Sequence, residues 1–218
     1  MNLQLELYKF QREFLARLPQ EQVFILQEAT AELVKEFQNR RMLRIDDEAP
    51  NFTLPDSTGK LVCLSEQLKK GAVILTFYRG GWCPYCNLEL RAYQKLLPKI
   101  KALGACVLAV SPQTLAASKT TVVKNALQFD VLSDVGSSVA RDYGIVFEIP
   151  DPLKQVYTEL GHALPDCNGT NDWLLPVPAT FIIDRSQHIA LAYIDVDYSK
   201  RYEPLDAIAI LLSLFVAT

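Results

Sequence analysis

Apolar positions recur with helical spacing along the N-terminal part of the chain. The first run ends before Pro19 and has its apolar side chains on one helix face, at Leu3, Leu7, Phe10, Phe14 and Leu18. A second run, from Gln20 to Arg41, carries its own apolar stripe, at Val23, Leu26, Leu33, Val34 and Phe37. We predict that these two amphipathic helices form a helical hairpin. Because such helices take most of their stability from packing, the hairpin covers either its own chain or a second copy, as a dimerisation arm.

Beyond a polar connector at residues 44–50, short apolar runs alternate with stretches of helical spacing. Residues 51–54 and 61–64 flank a turn that reads Pro-Asp-Ser-Thr-Gly-Lys, and they predict a β-hairpin. Further strands are predicted at residues 73–78, 105–110, 131–132, 179–183 and 189–194. Helices are predicted between and after them, at residues 66–69, from Cys83 to about 103, and at 114–127, 137–143 and 203–214. This alternation predicts an α/β fold with a mainly parallel central sheet.

Residues 149–176 are the least regular part of the sequence. A helix is predicted at residues 151–160, and the segment that follows mixes Gly, Asn, Asp and Pro. Long loops of this kind are usually functional or mobile. Cys167 lies in this segment, where it is either a third redox partner or an ordinary exposed thiol. His162 is also here, so a base near the redox site stays open.

Composition narrows the class of protein. The chain has 218 residues, half of them apolar, which is enough for one good core and roughly one to two domains. The net charge is −3 and the basic residues are dispersed, so we expect no nucleic-acid partner. The N-terminus lacks the apolar run of a signal peptide, and the apolar stretch at 205–216 is too short to span a bilayer. We therefore expect a cytoplasmic protein without a membrane partner.

The candidate chemistry lies where a strand turns into a helix. After the apolar run at 73–78 come two glycines and the sequence Trp82-Cys83-Pro84-Tyr85-Cys86. Pro84 suits the first helical turn, which leaves Cys83 at the helix N-terminus, where the partial positive charge favours a thiolate. Cys86 is one turn further on, within reach of a disulfide. The pair can therefore cycle between dithiol and disulfide.

A zinc site is the alternative use of such a pair. A structural zinc site normally needs four ligands, and no second closely spaced pair occurs among the other candidates, which are Cys63, Cys106, Cys167, His162 and His188. In a reducing compartment a cysteine pair is more often catalytic than structural. We therefore expect neither a metal nor another cofactor, and we interpret Cys63 and Cys106 as small core residues.

Three motifs in order carry a family resemblance. Residues 49–54 read Ala-Pro-Asn-Phe-Thr-Leu, residues 77–86 read Phe-Tyr-x-Gly-x-Trp-Cys-Pro-x-Cys, and residues 178–184 read Pro-Ala-Thr-Phe-Ile-Ile-Asp. From about Asp46 to its end the chain resembles the AhpC/TSA, or peroxiredoxin-like, branch of the thioredoxin superfamily. The resemblance implies a thioredoxin-like fold at residues 45–218, in which helices flank a central mixed, mainly parallel sheet. Residues 1–44 are then an N-terminal helical extension.

The resemblance also implies roles for residues around the pair. Thioredoxin-like proteins hold a cis-proline against the two cysteines in a Pro-x-Thr-Phe segment, which places that role on Pro178 and brings Thr180 with it. The plain alternative is an ordinary trans proline at a strand entry. Trp82 and Tyr85 are expected to form the apolar rim of the active site. The alternative for Trp82 is that it packs under the loop that carries the cysteine pair. Arg79 is close enough in sequence to hold a thiolate or an oxyanion.

The site departs from that of peroxiredoxins proper. Peroxiredoxins proper carry the motif Pro-x-x-x-Thr-x-x-Cys on the same strand–turn–helix, and an arginine at the cis-proline position. Counted from Phe77-Tyr78, the proline of that motif aligns with Arg79, its threonine with Cys83 and its peroxide-attacking cysteine with Cys86. Their arginine aligns with Pro178. The body thus resembles a peroxiredoxin and the site a thioredoxin. We assign attack to Cys83, as the exposed and acidic outer cysteine, and resolution to Cys86. The comparison with peroxiredoxins allows the reverse order.

These observations predict a thiol-dependent enzyme. It reduces either hydroperoxides, as an antioxidant, or protein disulfides, by a Cys83/Cys86 dithiol–disulfide cycle. Its electron donor is thioredoxin or, because Pro-Tyr is also the glutaredoxin dipeptide, glutathione with glutaredoxin. The alternative is a non-catalytic redox sensor or scaffold whose helical arm binds a partner under the control of the disulfide. A homodimer through the N-terminal helices is open in either case.

Overall fold

The computed structural model describes residues 2–216. The described chain contains the helices α1 (Leu3–Leu15), α2 (Gln20–Phe37), α3 (Leu64–Leu68), α4 (Pro84–Ala102), α5 (Leu115–Asn125), α6 (Ser138–Asp142), α7 (Asp151–Glu159), α8 (Leu164–Asn168) and α9 (Pro204–Val216). Its strands are β1 (Thr53–Pro55), β2 (Leu61–Cys63), β3 (Val73–Phe77), β4 (Cys106–Ser111), β5 (Asp130–Ser133), β6 (Val146–Glu148), β7 (Leu174–Pro176), β8 (Ala179–Ile183) and β9 (Ile189–Ile194). The helices and strands predicted from the sequence are therefore present, most of them with boundaries shifted by a few residues.

The central sheet has five strands in the order β5-β4-β3-β8-β9. The pairs β3–β4 and β4–β5 are parallel, whereas β3–β8 and β8–β9 are antiparallel. The expected mixed sheet is confirmed, but "mainly parallel" is wrong, because the short turn between β8 and β9 joins neighbouring strands directly and so makes them antiparallel.

Strand β3 lies at the centre of the sheet and is buried along its whole length. Its side chains alternate between the two faces, as strand geometry requires. Ile74 packs with Tyr93 of α4 on one face, and Leu75 and Phe77 belong to the larger core on the other. Burying such a side chain stabilises the fold by about 1.5–3 kcal/mol. The C-terminal end of this rigid strand therefore gives the following loop a fixed starting point.

The two N-terminal helices pack on their own chain, but on different parts of it. Helix α1 lies along α4, with Leu3 and Leu7 buried in a cluster that contains Tyr85. Helix α2 lies against α7 and ends at Phe37, four residues before the predicted end. The expected pair of helices is confirmed, whereas the hairpin is corrected, because α1 packs mainly on α4 and α2 mainly on α7. Val34, predicted on the buried stripe, is 41% exposed.

The irregular segment at 149–176 is closed at its base by a small ribbon. Strands β6 and β7 pair antiparallel, with Val146 opposite Pro176, and α7 and α8 lie between them in sequence. The β-hairpin predicted at 51–64 is also present, as β1 paired with β2. No helix within residues 2–216 has both the length and the hydropathy needed to cross a bilayer.

Candidate active site

The loop between β3 and α4 carries the cysteine pair. Tyr78 donates its backbone N–H to Val110 of β4, which holds the loop at the end of the sheet. Cys83 is the N-cap of α4 with φ −80° and ψ 117°, and Pro84 follows in the first turn. The predicted strand–turn–helix setting is confirmed, and its cause is local: Pro84 fits the first turn, and its missing N–H is one that the helix would leave unpaired anyway.

Neighbouring side chains fix this loop. Gly81 donates its N–H to Oε1 of Gln113 at 2.7 Å and accepts a hydrogen bond from Nδ2 of Asn87 at 2.8 Å. A Cβ at Gly81 would lie 2.1 Å from Oγ1 of Thr121, so only glycine fits against α5 at this position. The loop is therefore pre-organised before any substrate arrives.

The sulfur of Cys83 lies against a buried guanidinium. Nη2 of Arg79 donates to Sγ of Cys83 at 3.1 Å, and the two residues are 4% and 0% exposed. The expectation that Cys83 is exposed is wrong, because Arg79 and the aromatic side chains around it cover the sulfur. The predicted contact between Arg79 and the thiolate is present.

Arg79 itself is held from several directions. Its Nη1 donates to the hydroxyl of Tyr157 at 2.6 Å. The guanidinium carbon lies 4.2 Å from the ring centre of Tyr198 and 5.1 Å from that of Trp82. Such cation–π contacts hold a cation in a desolvated site. Within the described chain, Nε of Arg79 is a buried donor without a hydrogen-bond partner.

A second arginine faces the second sulfur. Nη2 of Arg201 donates to Sγ of Cys86 at 3.2 Å, and Nε of the same guanidinium is 2.6 Å from Oε2 of Glu89. Oε1 of Glu89 accepts from the hydroxyls of Thr76 at 3.2 Å and Thr180 at 3.5 Å. Each cysteine of the pair thus has its own arginine, and a buried carboxyl group lies behind Cys86.

Comparison with known proteins places this arrangement in a family. Residues 45–192 match the AhpC/TSA family. The chain belongs to the AhpC/TSA family.

Individual AhpC/TSA relatives come from two functional groups. The chain is 32% identical over 134 residues to thiol-disulfide oxidoreductase ResA of Bacillus cereus, covering 61% of this chain and 75% of that protein. It is 38% identical over 96 residues to chloroplastic peroxiredoxin Q of Triticum aestivum, covering 44% of each. This AhpC/TSA protein is accordingly a thiol-based oxidoreductase of the peroxiredoxin-like type, and hence an enzyme.

Solved structures show the same fold at low sequence identity. Peroxidoxin BcpB of Mycobacterium tuberculosis superposes with a TM-score of 0.63 at 21% identity, covering 80% of this chain and 99% of that one. A putative thiol:disulfide interchange protein DsbE of Chlorobium tepidum superposes with a TM-score of 0.56 at 22% identity, covering 80% of this chain and 99% of that one. The expected thioredoxin-like fold is confirmed.

The two sulfurs of this AhpC/TSA site differ sharply in acidity. Burial by itself would raise the pKa of Cys83, but a hydrogen bond from Cys86 and the charges of Arg79 and Arg201 outweigh it, so the pKa of Cys83 lies well below the ordinary thiol value. For Cys86, burial raises the pKa, and donating a hydrogen bond to the Cys83 thiolate raises it further. Cys83 is therefore the thiolate of the pair and Cys86 the thiol.

The carboxyl group of Glu89 is also shifted. Burial raises its pKa to about 7, against the opposing charge of Arg201. The nearby Cys86 sulfur adds to the rise when it is charged. Glu89 can therefore be protonated or ionised near neutral pH, one helical turn from Cys86.

The other residues predicted for the site have the following positions. Trp82 is half-buried, with its ring against those of Tyr157 at 5.6 Å and His162 at 5.0 Å. Tyr85 is buried and packs edge-on against Tyr198 at 5.6 Å, so it supports the site from inside and does not form an exposed rim.

Pro178 and Thr180 flank the pair from the neighbouring strand β8. Thr180 contacts Glu89, as described above. All peptide bonds of the described chain are trans, including the one before Pro178, so the expected cis-proline is wrong. The chain runs extended from β7 into β8, with the N–H of Val177 bonded to Ile145 and the carbonyl of Pro178 accepting from Asp195.

The remaining cysteines lie apart from the pair. Cys63 was interpreted as a core residue, but it is partly exposed and lies 3.2 Å from the hydroxyl of Ser65, whose hydrogen bond lowers its pKa to about 7. Cys106 is partly buried at the start of β4, and burial raises its pKa to about 11. Cys167 lies in α8, where burial raises its pKa, and its backbone carbonyl accepts from Thr114.

Sequence reasoning missed four residues of the site, namely Glu89, Tyr157, Tyr198 and Arg201. Glu89 had a signal, because it lies one helical turn after Cys86 and therefore on the same helix face. The other three contact the site from segments 78 to 119 residues away in sequence, where no motif marks them. His162 was left open as a base, and burial lowers its pKa beside Trp82.

Proposed function

We propose that this AhpC/TSA protein is a hydroperoxide reductase in which Cys83 attacks the peroxide and Cys86 resolves the product. The observation that carries the proposal is the contact of 3.1 Å between Nη2 of Arg79 and the fully buried sulfur of Cys83. The thiolate is the nucleophile, and the two arginines do not favour the two sulfurs equally. Arg201 beside Cys86 is paired with Glu89 at 2.6 Å, whereas Arg79 has no carboxylate partner within the described chain, so its charge is directed to Cys83.

The burial of Cys83 favours a small substrate. Attack on a protein disulfide needs a second polypeptide to bring its sulfur against Cys83, which is 0% exposed behind Arg79 and its aromatic neighbours. A hydroperoxide needs a much smaller opening. The guanidinium also stabilises the negative charge that develops on the departing oxygen.

The two cysteines together supply the two electrons that reduce the peroxide. The Cys83 thiolate attacks the outer peroxide oxygen, the O–O bond breaks, and the remaining oxygen leaves as an alkoxide or hydroxide that takes up a proton. Cys83 is then a sulfenic acid, and the thiol of Cys86 attacks it with loss of water to form the disulfide. The two residues lie one helical turn apart at the start of α4, so the second step needs only small rotations. An external dithiol returns two electrons.

The physiological donor is part of the proposal. Thioredoxin, or glutathione with glutaredoxin, supplies the thiolate that attacks the Cys83–Cys86 disulfide. Because both sulfurs are buried in the structure, this reductive step requires Arg79 and Tyr198 to move and uncover one of them. We also propose that residues 45–218 form the catalytic domain and that residues 1–44 are an extension of it. The protein is proposed to act in the cytoplasm. A homodimer is proposed to form through the exposed side of α1 and α2. The large apolar side chains exposed on these two helices are Leu5, Tyr8, Phe24 and Val34.

Reduction of protein disulfides is the second candidate. It is favoured by the relative named thiol-disulfide oxidoreductase, which matches 61% of this chain. It also fits the position of Cys83 at the helix N-terminus, ahead of its partner. For this activity, Arg79 and Tyr198 must move to uncover the sulfur.

Separate serine variants of the two cysteines test the proposal. Each is assayed with hydrogen peroxide and with insulin disulfides, using dithiothreitol as the reductant. Cys83→Ser is expected to abolish peroxide reduction, whereas Cys86→Ser retains the first chemical step and accumulates a sulfenic acid that dimedone traps at Cys83. Cys167→Ser is the matched control and keeps the wild-type rate. Sulfenic acid at Cys86 in Cys83→Ser would reverse the roles, and turnover of insulin faster than of peroxide would favour the second candidate.

A further inference from the structure

A cavity of about 130 Å³ lies between α2, α7 and the active-site arginine. Its lining includes Ala29 and Leu33 of α2, Leu153 of α7, and Phe147 next to that helix. Arg79 and Pro178 line it as well, on the side of the cysteine pair. The cavity is thus largely apolar, with the active-site cation as one of its walls.

One wall of this cavity comes from outside the part of the chain that matches the family. The family match begins at residue 45, whereas α2 spans Gln20–Phe37. Helix α2 lies against α7, which in turn holds Arg79 through the hydroxyl of Tyr157. The N-terminal extension therefore closes a space that the matched segment alone would leave open.

Arg79 is the residue that the cavity and the nucleophile share. Its Nη2 contacts Cys83, its Nη1 contacts Tyr157, and its buried Nε has no hydrogen-bond partner in the described chain. A buried guanidinium N–H without a partner is costly, and a ligand oxygen at this position would satisfy it. A ligand with a polar end against Arg79 and an apolar end against α2 fits both features.

We propose that this cavity binds the organic group of a neutral hydroperoxide, with Ala29 and Leu33 of α2 as the wall that sets its specificity. The proposal rests on the hydroperoxide reductase function and names its substrate class. The peroxide oxygens lie against Arg79, and the thiolate of Cys83 attacks the outer oxygen. The organic group leaves as an alkoxide and is protonated to the alcohol, as in the cycle above.

The volume limits the organic group to a compact one. An apolar protein cavity of about 150 Å³ holds one benzene molecule. The cavity here is slightly smaller and partly open, so it suits a branched alkyl group or a single ring, and a long acyl chain would have to extend out of it into solvent.

The charges on the lining favour a neutral group. Arg79 is the cation on the described lining. Its Nη1 and Nη2 contact Tyr157 and Cys83, and its unpartnered Nε is the donor that the peroxide oxygens take up. The other charged lining residues are the carboxylates Glu32, Glu36 and Glu148. A substrate with its own carboxylate would therefore gain no free cation and would face these acidic groups.

A filling substitution with a matched control tests the proposal in the full-length protein. Ala29→Leu fills the cavity, and Ala31→Leu makes the same change on the exposed side of the same helix. The measured quantity is the ratio of kcat/KM for cumene hydroperoxide to that for hydrogen peroxide, with dithiothreitol as the reductant. The ratio is expected to fall about tenfold in Ala29→Leu, in line with the loss of a few methylene contacts, and to stay unchanged in Ala31→Leu.

Binding of the product gives a second readout. The alcohol 2-phenyl-2-propanol is expected to raise the melting temperature of the wild type and of Ala31→Leu, but not that of Ala29→Leu. If Ala29→Leu does not fold, Leu33→Ala replaces it, and this enlargement of the cavity is expected to raise the ratio for bulkier hydroperoxides.

The outcomes separate this inference from the function on which it rests. Equal ratios in Ala29→Leu and Ala31→Leu, with both peroxides still reduced, overturn the cavity site and leave the reductase function standing. A linoleate hydroperoxide reduced faster than cumene hydroperoxide overturns the compact, neutral substrate class. A wild type that reduces neither peroxide refutes the reductase function, and the inference with it.

Discussion

Arg79 and Cys83 are four residues apart in sequence and join through a hydrogen bond of 3.1 Å that is wholly inside the protein. Between them the chain leaves β3, turns through Gly80 and Gly81, and starts α4. The turn directs the guanidinium back onto the sulfur. One short segment thus supplies both the nucleophile and the charge that keeps it ionised.

Replacing Arg79 with methionine should raise the pKa of Cys83. In the wild type, burial alone would raise this pKa, and the hydrogen bond from Cys86 with the charges of Arg79 and Arg201 holds it well below the ordinary thiol value. Arg79→Met removes one charge and one donor while burial remains. The thiolate absorbance in the ultraviolet, followed against pH, is expected to show a titration below the ordinary thiol range in the wild type and a shift to higher pH in the variant.

Arg91→Met is the control for that titration. Arg91 is on α4, and its guanidinium donates to Asn125, away from both sulfurs. Its titration curve should match that of the wild type. An Arg79→Met curve that also matches would mean that Cys86, Arg201 and the helix N-terminus set the acidity of Cys83 without Arg79.

The same substitution should make the disulfide harder to reduce. A depressed thiolate pKa stabilises the reduced pair, so the wild type is the stronger oxidant. Arg79→Met destabilises the reduced form and lowers the reduction potential, by about 30 mV for each 1.4 kcal/mol lost. Equilibration with a glutathione redox buffer measures this change. A potential that rises in Arg79→Met would contradict a stabilising role for this arginine.

The sequence predicts the order of elements and the position of the cysteine pair because both depend on local patterns. The apolar run of β3, the glycines and Pro84 specify a strand, a turn and a helix start without information from the rest of the chain. Arg201 has no such signal. It reaches Cys86 only because the segment before α9 folds back against the start of α4. The two residues are 115 positions apart in sequence.

The exposure of Cys83 was mispredicted for a related reason. A helix N-cap is usually accessible, and the sequence around Cys83 gives no sign that Tyr157 and Tyr198 cover Arg79. The prediction that α1 and α2 form a hairpin was wrong for the same reason. An amphipathic pattern shows that a helix packs against another surface, but it does not show which surface. The domain boundary near residue 45 stays a prediction.

Phe10 and Tyr8 distinguish packing of α1 on its own chain from a dimerisation arm. The ring of Phe10 packs edge-on against Tyr85 at 5.0 Å, whereas Tyr8 is 56% exposed. Phe10→Ala is expected to lower the free energy of unfolding by about 2 kcal/mol, because a partly buried ring loses its contacts. Tyr8→Ala is expected to change it by less than about 0.5 kcal/mol. Urea unfolding of the two variants measures both values.

Protein concentration provides the check on this comparison. If α1 acted as a dimerisation arm through its exposed side, Tyr8→Ala would shift the unfolding midpoint and make it less dependent on concentration. A larger loss in Tyr8→Ala than in Phe10→Ala would contradict the packing described here and support the homodimer.

Glu89 should make the stability of the protein depend on pH near neutrality. Burial raises its pKa to about 7 in the folded chain, from an ordinary value of 4.5. Between these two values the folded state holds more protons than the unfolded state, so the free energy of unfolding falls as the pH rises. The shift corresponds to about 3 kcal/mol, complete below pH 4.5 and lost by a pH above 7. Glu89→Gln cannot titrate and should lack this dependence.

The measurement is the difference in unfolding free energy between wild type and Glu89→Gln at a series of pH values, with both thiols blocked from oxidation by reductant. Taken as wild type minus variant, it should decline as the pH rises from 4 to 8, because only the wild type must take up a proton at a buried carboxyl group, or bury its charge, on folding. Glu66→Gln is the exposed control, where an ion pair with Lys69 at the surface contributes little. A difference that instead grows with pH would show that the contact of 2.6 Å with Arg201 outweighs the burial of Glu89, and that this carboxyl group is ionised throughout.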